Sequence, residues 1–144
     1  MSDRTPPHNP DAEAALISNA LASPNACDHA ITIVTPDDFY LPANRRTWAA
    51  ICRLHTRGDP IDPITVADEI QTGEGRPGID PADVVAYLTA LGTVANTPTY
   101  ARIVSELARY RRLLEHAEAL SAAVACFDDI AIDQALDTLT KERR

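Results

Sequence analysis

Aromatic side chains are scarce in this 144-residue sequence: one Trp, two Phe and four Tyr make up 5% of it. Sheet proteins lean on aromatic and β-branched residues to cover a pleated surface, so the scarcity argues against a sheet. No apolar run approaches the roughly 20 residues a membrane-spanning helix needs. The start, Met1-Ser2-Asp3-Arg4-Thr5-Pro6-Pro7, lacks the apolar core of a secretory signal. Basic residues are in the minority, 13 against 21 acidic, giving a net charge of −8. Nucleic-acid affinity rests on neutralised phosphates, so direct binding to DNA or RNA is expected to be weak or absent. There are three cysteines, an odd count in helix-like surroundings, which fits reduced thiols in a cytoplasm rather than a disulfide framework. What is abundant is alanine, at 24 positions, the strongest helix former. These readings predict a soluble, cytoplasmic, all-α protein whose one domain buries roughly two-thirds of its unfolded surface.

Catalytic patterns are also missing. The five serines form no G-x-S-x-G elbow, and no G-x-x-x-x-G-K-[ST] phosphate loop occurs. Gly73-Glu74-Gly75-Arg76-Pro77-Gly78 spells G-x-G-x-x-G, but it follows a helical stretch rather than a strand and contains a proline, so it reads as a linker. Cys27-x-His29 and Cys52-x-x-His55 fall in mid-helix, where zinc knuckles do not form; they read as small buried thiols beside surface histidines. Asp37-Asp38, just after Thr35-Pro36, suit a helix amino terminus better than a catalytic pair. No catalytic, cofactor or metal site is expected.

Proline supplies the punctuation. Six of the 11 prolines follow a residue able to cap a helix: Asn9-Pro10, Ser23-Pro24, Thr35-Pro36, Asp62-Pro63, Asp80-Pro81 and Thr97-Pro98. The cap side chain accepts a first-turn amide, and proline next to it loses no helical bond. These starts predict helices near 10–22, 24–33, 43–57, 63–71, 81–91 and 98–126, a short turn at 36–39, and a last helix over 130–142 opened by Asp128-Asp129.

The helix from Pro98 to Cys126 is long for so small a domain. At 100° per residue, Tyr100, Ile103, Val104, Leu107, Tyr110 and Leu114 share one face. Leu113, Leu120 and Phe127, spaced by seven, lie on roughly the opposite one, where an antiparallel return through Ile132, Leu136 and Leu139 could cover them. That describes a helical hairpin, with the first stripe left to meet the body, another chain, or both. The predicted organisation is a flexible arm over 1–8, a bundle of about six short helices over 9–96, and a hairpin with its tail over 97–144. Charge divides the same way: residues 1–97 carry 6 basic and 13 acidic side chains, net −7, whereas 98–127 carry net +1 through Arg102, Arg109, Arg111 and Arg112. Those arginines suit either a solvated face with ion pairs or a docking surface.

Four ordered blocks resemble the amino-terminal domain of DnaB-type replicative DNA helicases. Pro7-His8-Asn9-Pro10-Asp11-Ala12-Glu13 with Leu16-Ile17 is similar to that family's first helix. Val34-Thr35-Pro36-Asp37-Asp38-Phe39-Tyr40-Leu41-Pro42-Ala43-Asn44-Arg45 resembles its P-x-D-F-Y-x-P-x-H/N-x stretch. Gly58-Asp59-Pro60-Ile61-Asp62-Pro63-Ile64-Thr65-Val66 resembles its G-x-P-[IV]-D-x-[IV]-T-[VL]. Tyr87-Leu88 and Ala95-Asn96-Thr97-Pro98-Thr99-Tyr100 are similar to its approach to the long hairpin, continued by Arg112-Leu113-Leu114. Within these blocks Phe39 and Tyr40, held between Pro36 and Pro42, can plug the core, and Asp62 can cap the helix from Pro63.

The resemblance implies an all-helical collar domain that does not hydrolyse ATP. In that family hairpins pair between subunits, and the collar receives the carboxy-terminal domain of the primase. Carried over, it implies a homo-oligomer, no cofactor, and a hairpin face with Arg109, Tyr110, Arg111 and Leu114 as the candidate interface. Two alternatives stand beside it: a stand-alone relative that loads or inhibits a helicase, and a helical DNA-binding regulator, which the acidic body disfavours. With no phosphate-loop pattern in 144 residues, the resemblance implies a collar without its motor.

Overall fold

In the computed structural model, residues 5–74 and 81–143 are described. Side chains at four helix starts act as the sequence predicts. Helix α1 (Pro10–Ala22) opens on Asn9, whose side-chain oxygen accepts the Ala12 amide at 3.0 Å. Helix α2 (Pro24–Ile31) opens on Ser23, whose hydroxyl accepts the Ala26 amide at 3.2 Å. Helix α4 (Pro63–Glu74) follows after α3 (Pro42–Arg57) and starts with a reciprocal pair. Asp62 Oδ1 accepts the Thr65 amide at 2.8 Å, and Thr65 Oγ1 accepts the Asp62 amide at 2.9 Å. The final helix, after α5 (Pro81–Val85) and α6 (Thr97–Ala125), is α7 (Asp129–Glu142), capped by Asp128 on the Ala131 amide at 3.0 Å.

Several boundaries differ from the sequence expectation. Helix α2 stops at Ile31 rather than 33, because the Ile33 and Val34 amides both turn back onto the Ala30 carbonyl. Helix α4 runs beyond 71 through Glu74, so Gly73 belongs to a helix and not to the linker. A Cβ at Gly73 would stand 2.9 Å from both Arg53 Nη2 and Glu69 Oε1, so the glycine is what lets that ion pair close over the helix. The rest of the glycine-rich stretch and the Asp80 cap lie outside the described residues. The helix expected over 81–91 breaks after Val85 into a 3₁₀ turn, Ala86–Thr89, and then extends at Ala90. A second 3₁₀ turn, Val94–Asn96, leads into α6. Gly92 has φ 140° and lies against Tyr100 and Ala15, a passage that a side chain would obstruct. Thr97 does not cap α6. Its hydroxyl donates to the Val94 carbonyl and accepts from Asn19 Nδ2 at 3.0 Å, tying α1 to the root of the hairpin.

One core joins these elements. Leu16 and Ile17 of α1, Trp48 and Ile51 of α3, Val66 and Ile70 of α4, and Val104 of α6 are essentially buried together. Phe39 sits fully buried 5.2 Å from the Trp48 ring, between the Pro36–Asp38 turn and α3. Trp48 also gives its indole N–H to the Val34 carbonyl at 3.3 Å. The class is all-α: a bundle of short helices with a long helical hairpin, and no strand among the described residues. No described helix is long and apolar enough to cross a membrane.

Candidate functional site

The hairpin leaves the body along one face of α6. Ala101, Val104, Ala108 and Arg111, on one side of the helix, are buried against the bundle. Small residues there let α6 approach α1 closely, and the long Arg111 side chain fills the lower end. Helix α7 returns along the second half of α6, burying Ala123 and Ala135 and half-covering Leu113, Leu120, Ile132 and Leu139. The predicted stripes are therefore redistributed. Phe127 and Leu136, expected in the covered stripe, are 89% and 47% exposed, because α6 ends before Phe127 and the α6–α7 seam runs through alanines.

Of the four candidate interface residues, the structure places three at the surface and one inside. Tyr110 is half exposed, with the Arg109 guanidinium 4.9 Å from its ring centroid, and Leu114 is half-buried nearby. Arg111 faces the body. It donates to the Pro7 carbonyl at 2.9 Å and the Asp38 carbonyl at 2.6 Å, and its guanidinium lies 5.4 Å from the Tyr40 ring. Burial holds its basicity below the usual arginine value. His8 stacks on the same Tyr40 ring at 4.1 Å, so the described end of the arm expected to be flexible is pinned at the root of the hairpin. Tyr40 accordingly forms this stack while Phe39 alone plugs the core. Arg112, next along the helix, bridges Asp38 Oδ1 at 3.2 Å and Glu142 Oε1 at 3.0 Å, joining both arms of the hairpin to the body. Asp38 also accepts the Thr35 amide, the amino-terminal role expected of it.

A buried carboxylate explains the Phe39–Asn44 signature. Helix α3 starts on Leu41, which has no side chain to cap it. Glu13, 1% exposed, reaches across from α1 instead. It accepts the Tyr40 amide at 2.9 Å and the Asn44 side-chain amide at 2.8 Å, and the Leu41 amide lies 3.4 Å away. Asn44 Oδ1 in turn accepts the Tyr87 hydroxyl at 2.6 Å. Sequence reasoning missed Glu13 because a lone glutamate in a first helical turn looks solvated. The available signal was a helix start at Pro42 with no capping residue of its own.

The tip of the hairpin is apolar and strained. The Phe127 amide donates to the Val124 carbonyl and the Asp128 amide to the Ala123 carbonyl, closing α6 with a residue in the left-handed position. That position is Phe127, at φ 55°, where glycine is usual. Val124, Phe127 and Ile130, 52%, 89% and 73% exposed, crown the turn beside the exposed Cys126.

The remaining candidates are packed as follows. Cys27 is buried, and burial pushes its thiol up to about 11; Cys52 is half-buried and also raised by burial. Among the described residues no group of three or more His, Cys, Asp or Glu is placed to hold a metal ion. Glu69 is the most perturbed acid: hydrogen bonds from Arg57 at 2.7 Å and Arg53 at 2.9 Å lower it to about 2. That cluster ties α3 to α4.

Residues 5–106 match the family model described as the DnaB-like helicase N-terminal domain. The chain belongs to that family. The DnaB-type relatives include the replicative DNA helicase DnaB of Geobacillus stearothermophilus, 35% identical over 125 residues, and that of Leifsonia xyli, 40% identical over 116. These alignments cover 84% and 78% of this chain but 27% and 25% of the relatives, so the chain spans about a quarter of their length. The crystal structure of the N-terminal domain of DnaB helicase from Mycobacterium tuberculosis superposes with a TM-score of 0.83 at 28% identity. That superposition covers 94% of this chain and 99% of the other. The expected all-α architecture agrees with that of the solved domain.

Proposed function

We propose that this chain is a non-catalytic assembly and docking domain of a replicative helicase, which associates with copies of itself through the hairpin and presents the assembled collar to a primase carboxy-terminal domain. The match of residues 5–106 to the DnaB N-terminal family carries the reading. The hairpin supports it: Tyr110, Val124, Phe127, Ile130 and Leu136 leave apolar surface open on a protein with net charge −8. Exposed apolar patches of this kind mark protein contacts. The root below them is tied to the body by the hydrogen bonds of Arg111 and Arg112, which supports presentation of that face to a partner. Within this reading Arg109, Tyr110 and Leu114 belong to the contact, and Arg111 supports it from beneath.

The test is sedimentation of the purified chain and of a Tyr110→Asp, Phe127→Asp variant. The variant should lose mass while its helical circular dichroism is unchanged. A wild-type chain that stays monomeric at high concentration removes self-association. Calorimetric titration with the primase carboxy-terminal domain tests the second half, and no heat with the assembled chain removes it.

A further inference from the structure

Away from the hairpin, α2 and the carboxy-terminal end of α3 enclose a cleft of about 360 Å³. Its floor is apolar, formed by Ala20, Leu21, Cys27 and Ile61. Asp28, His55 and Asp59 stand around it, the two aspartates with side chains 63% and 48% exposed. Gly58, in the left-handed conformation at φ 75°, forms part of the wall and has nothing within 4 Å of where its Cβ would stand, so the cleft is open on that side. A second depression of the same size shares Asp59 and Pro60 with the first and is lined by Leu54, Ile64 and Asp68. Ile64 is 70% exposed on it. Two hollows thus adjoin across one turn, the first with an apolar floor and the second offering Leu54, Pro60 and Ile64 among charged side chains.

The charges around them are one-sided. Asp28, Asp59, Asp68 and Glu69 line the pair against Arg57 and a histidine. Arg57 is engaged by Glu69 at 2.7 Å and Asp59 at 2.9 Å, and His55 by Asp28 at 2.7 Å. Asp28 and Asp59 keep about half or more of their side chains exposed despite these pairs, and Asp68 is exposed as well, within a body whose residues 1–97 sum to −7. A second copy of this chain suits it poorly. It is acidic overall, and on its hairpin Arg111 and Arg112 are bound internally, Arg102 lies 3.8 Å from Glu106 and Arg109 lies over the Tyr110 ring.

We propose that this double cleft docks a cationic amphipathic segment of another polypeptide, with two aliphatic side chains in the hollows and Lys or Arg side chains on Asp28, Asp59 and Asp68. Apolar burial supplies affinity, and the acidic surroundings select the sign of the partner and speed its approach. The proposal stands apart from hairpin assembly, because no residue of the cleft lies on α6 or α7.

The probe is a fluorescent Leu/Lys peptide with its leucines at helical spacing, compared with a Leu/Glu peptide of the same pattern. The full chain should bind the first and not the second, and amide shifts on titration should cluster at Leu21, Cys27, Ile61 and Ile64. Asp28→Lys with Asp59→Lys should weaken binding by about tenfold or more, an effect of some 1.4 kcal/mol. Asp133→Lys, which reverses one charge on α7, should leave binding within about twofold of wild type. Equal losses in the two variants, shifts centred on the hairpin, or no binding of the Leu/Lys peptide would each overturn the proposal. So would a drop in sedimenting mass caused by the cleft variant alone, which would assign the surface to a second copy.

Discussion

Arg111 on the long helix donates a hydrogen bond to the main-chain carbonyl of Asp38, 73 residues earlier, at 2.6 Å. Its second donor bond, to Pro7 at 2.9 Å, and the Tyr40 ring beside it make the guanidinium the rivet between arm, turn and hairpin. Arg111→Ala should leave two carbonyls short of a donor and a hollow under the helix, lowering the unfolding free energy by about 2–4 kcal/mol. Arg111→Lys keeps the charge but cannot reach both carbonyls in the same plane, and should recover less than half of that loss. Urea denaturation of the two variants checks both outcomes.

Glu13 is expected to matter as much, although it is buried and makes no part of the candidate interface. Glu13→Ala removes the acceptor for the Tyr40 and Asn44 groups at 2.9 and 2.8 Å and should cost about 3 kcal/mol or more. Asn44→Ala should cost less, about 1–2 kcal/mol, because the carboxylate keeps its main-chain donors. A double-mutant cycle should show the pair coupled; additive losses would mean that the two do not act as one cap.

The Arg53–Glu69–Arg57 cluster gives the fold an acid-sensitive component. Glu69 ionises at about 2 in the folded protein, below the ordinary value of 4.5. Its contribution is therefore complete above about 4.5 and is lost as the pH falls toward 2, when the unfolded chain takes up the proton first. Glu69→Gln should lower the melting temperature at neutral pH and flatten its decline across that interval. A mutant curve parallel to wild type through the interval would show that other carboxylates set the acid response.

At the hairpin tip, strain and exposure coincide in Phe127. A bulky L-residue in the left-handed region carries about 1–2 kcal/mol of strain, part of which glycine returns through the greater freedom it gives the unfolded chain. Phe127→Gly should thus raise the unfolding free energy by up to about 1 kcal/mol while weakening self-association. A variant that is less stable yet assembles normally would show that the ring works within its own chain.

Much of the local structure was legible because local rules decide it. Asn9, Ser23, Asp62 and Asp128 each cap the helix the sequence placed after them, since a cap needs only its own next three residues. The hairpin, too, could be read from the long helix and its return, although its seam runs through Ala123 and Ala135 rather than the expected Phe127 and Leu136. The candidate interface was less legible. Tyr110 and Arg111 are neighbours in sequence, yet one faces solvent and the other is locked to the body. Periodicity places a residue on a face, but what covers that face depends on residues such as Pro7 and Asp38 that arrive from elsewhere.

The sequence by itself determined the helical class, the starts of its helices and the family blocks, because propensity, capping and motif spacing act over a few residues. Only the tertiary structure decided that Glu13 caps a helix 29 residues away at Pro42, that Arg111 turns inward, and that Phe127 is left exposed. The first two depend on which distant groups share a low-dielectric interior, where an unmet hydrogen bond is expensive, and the third on where the returning helix packs.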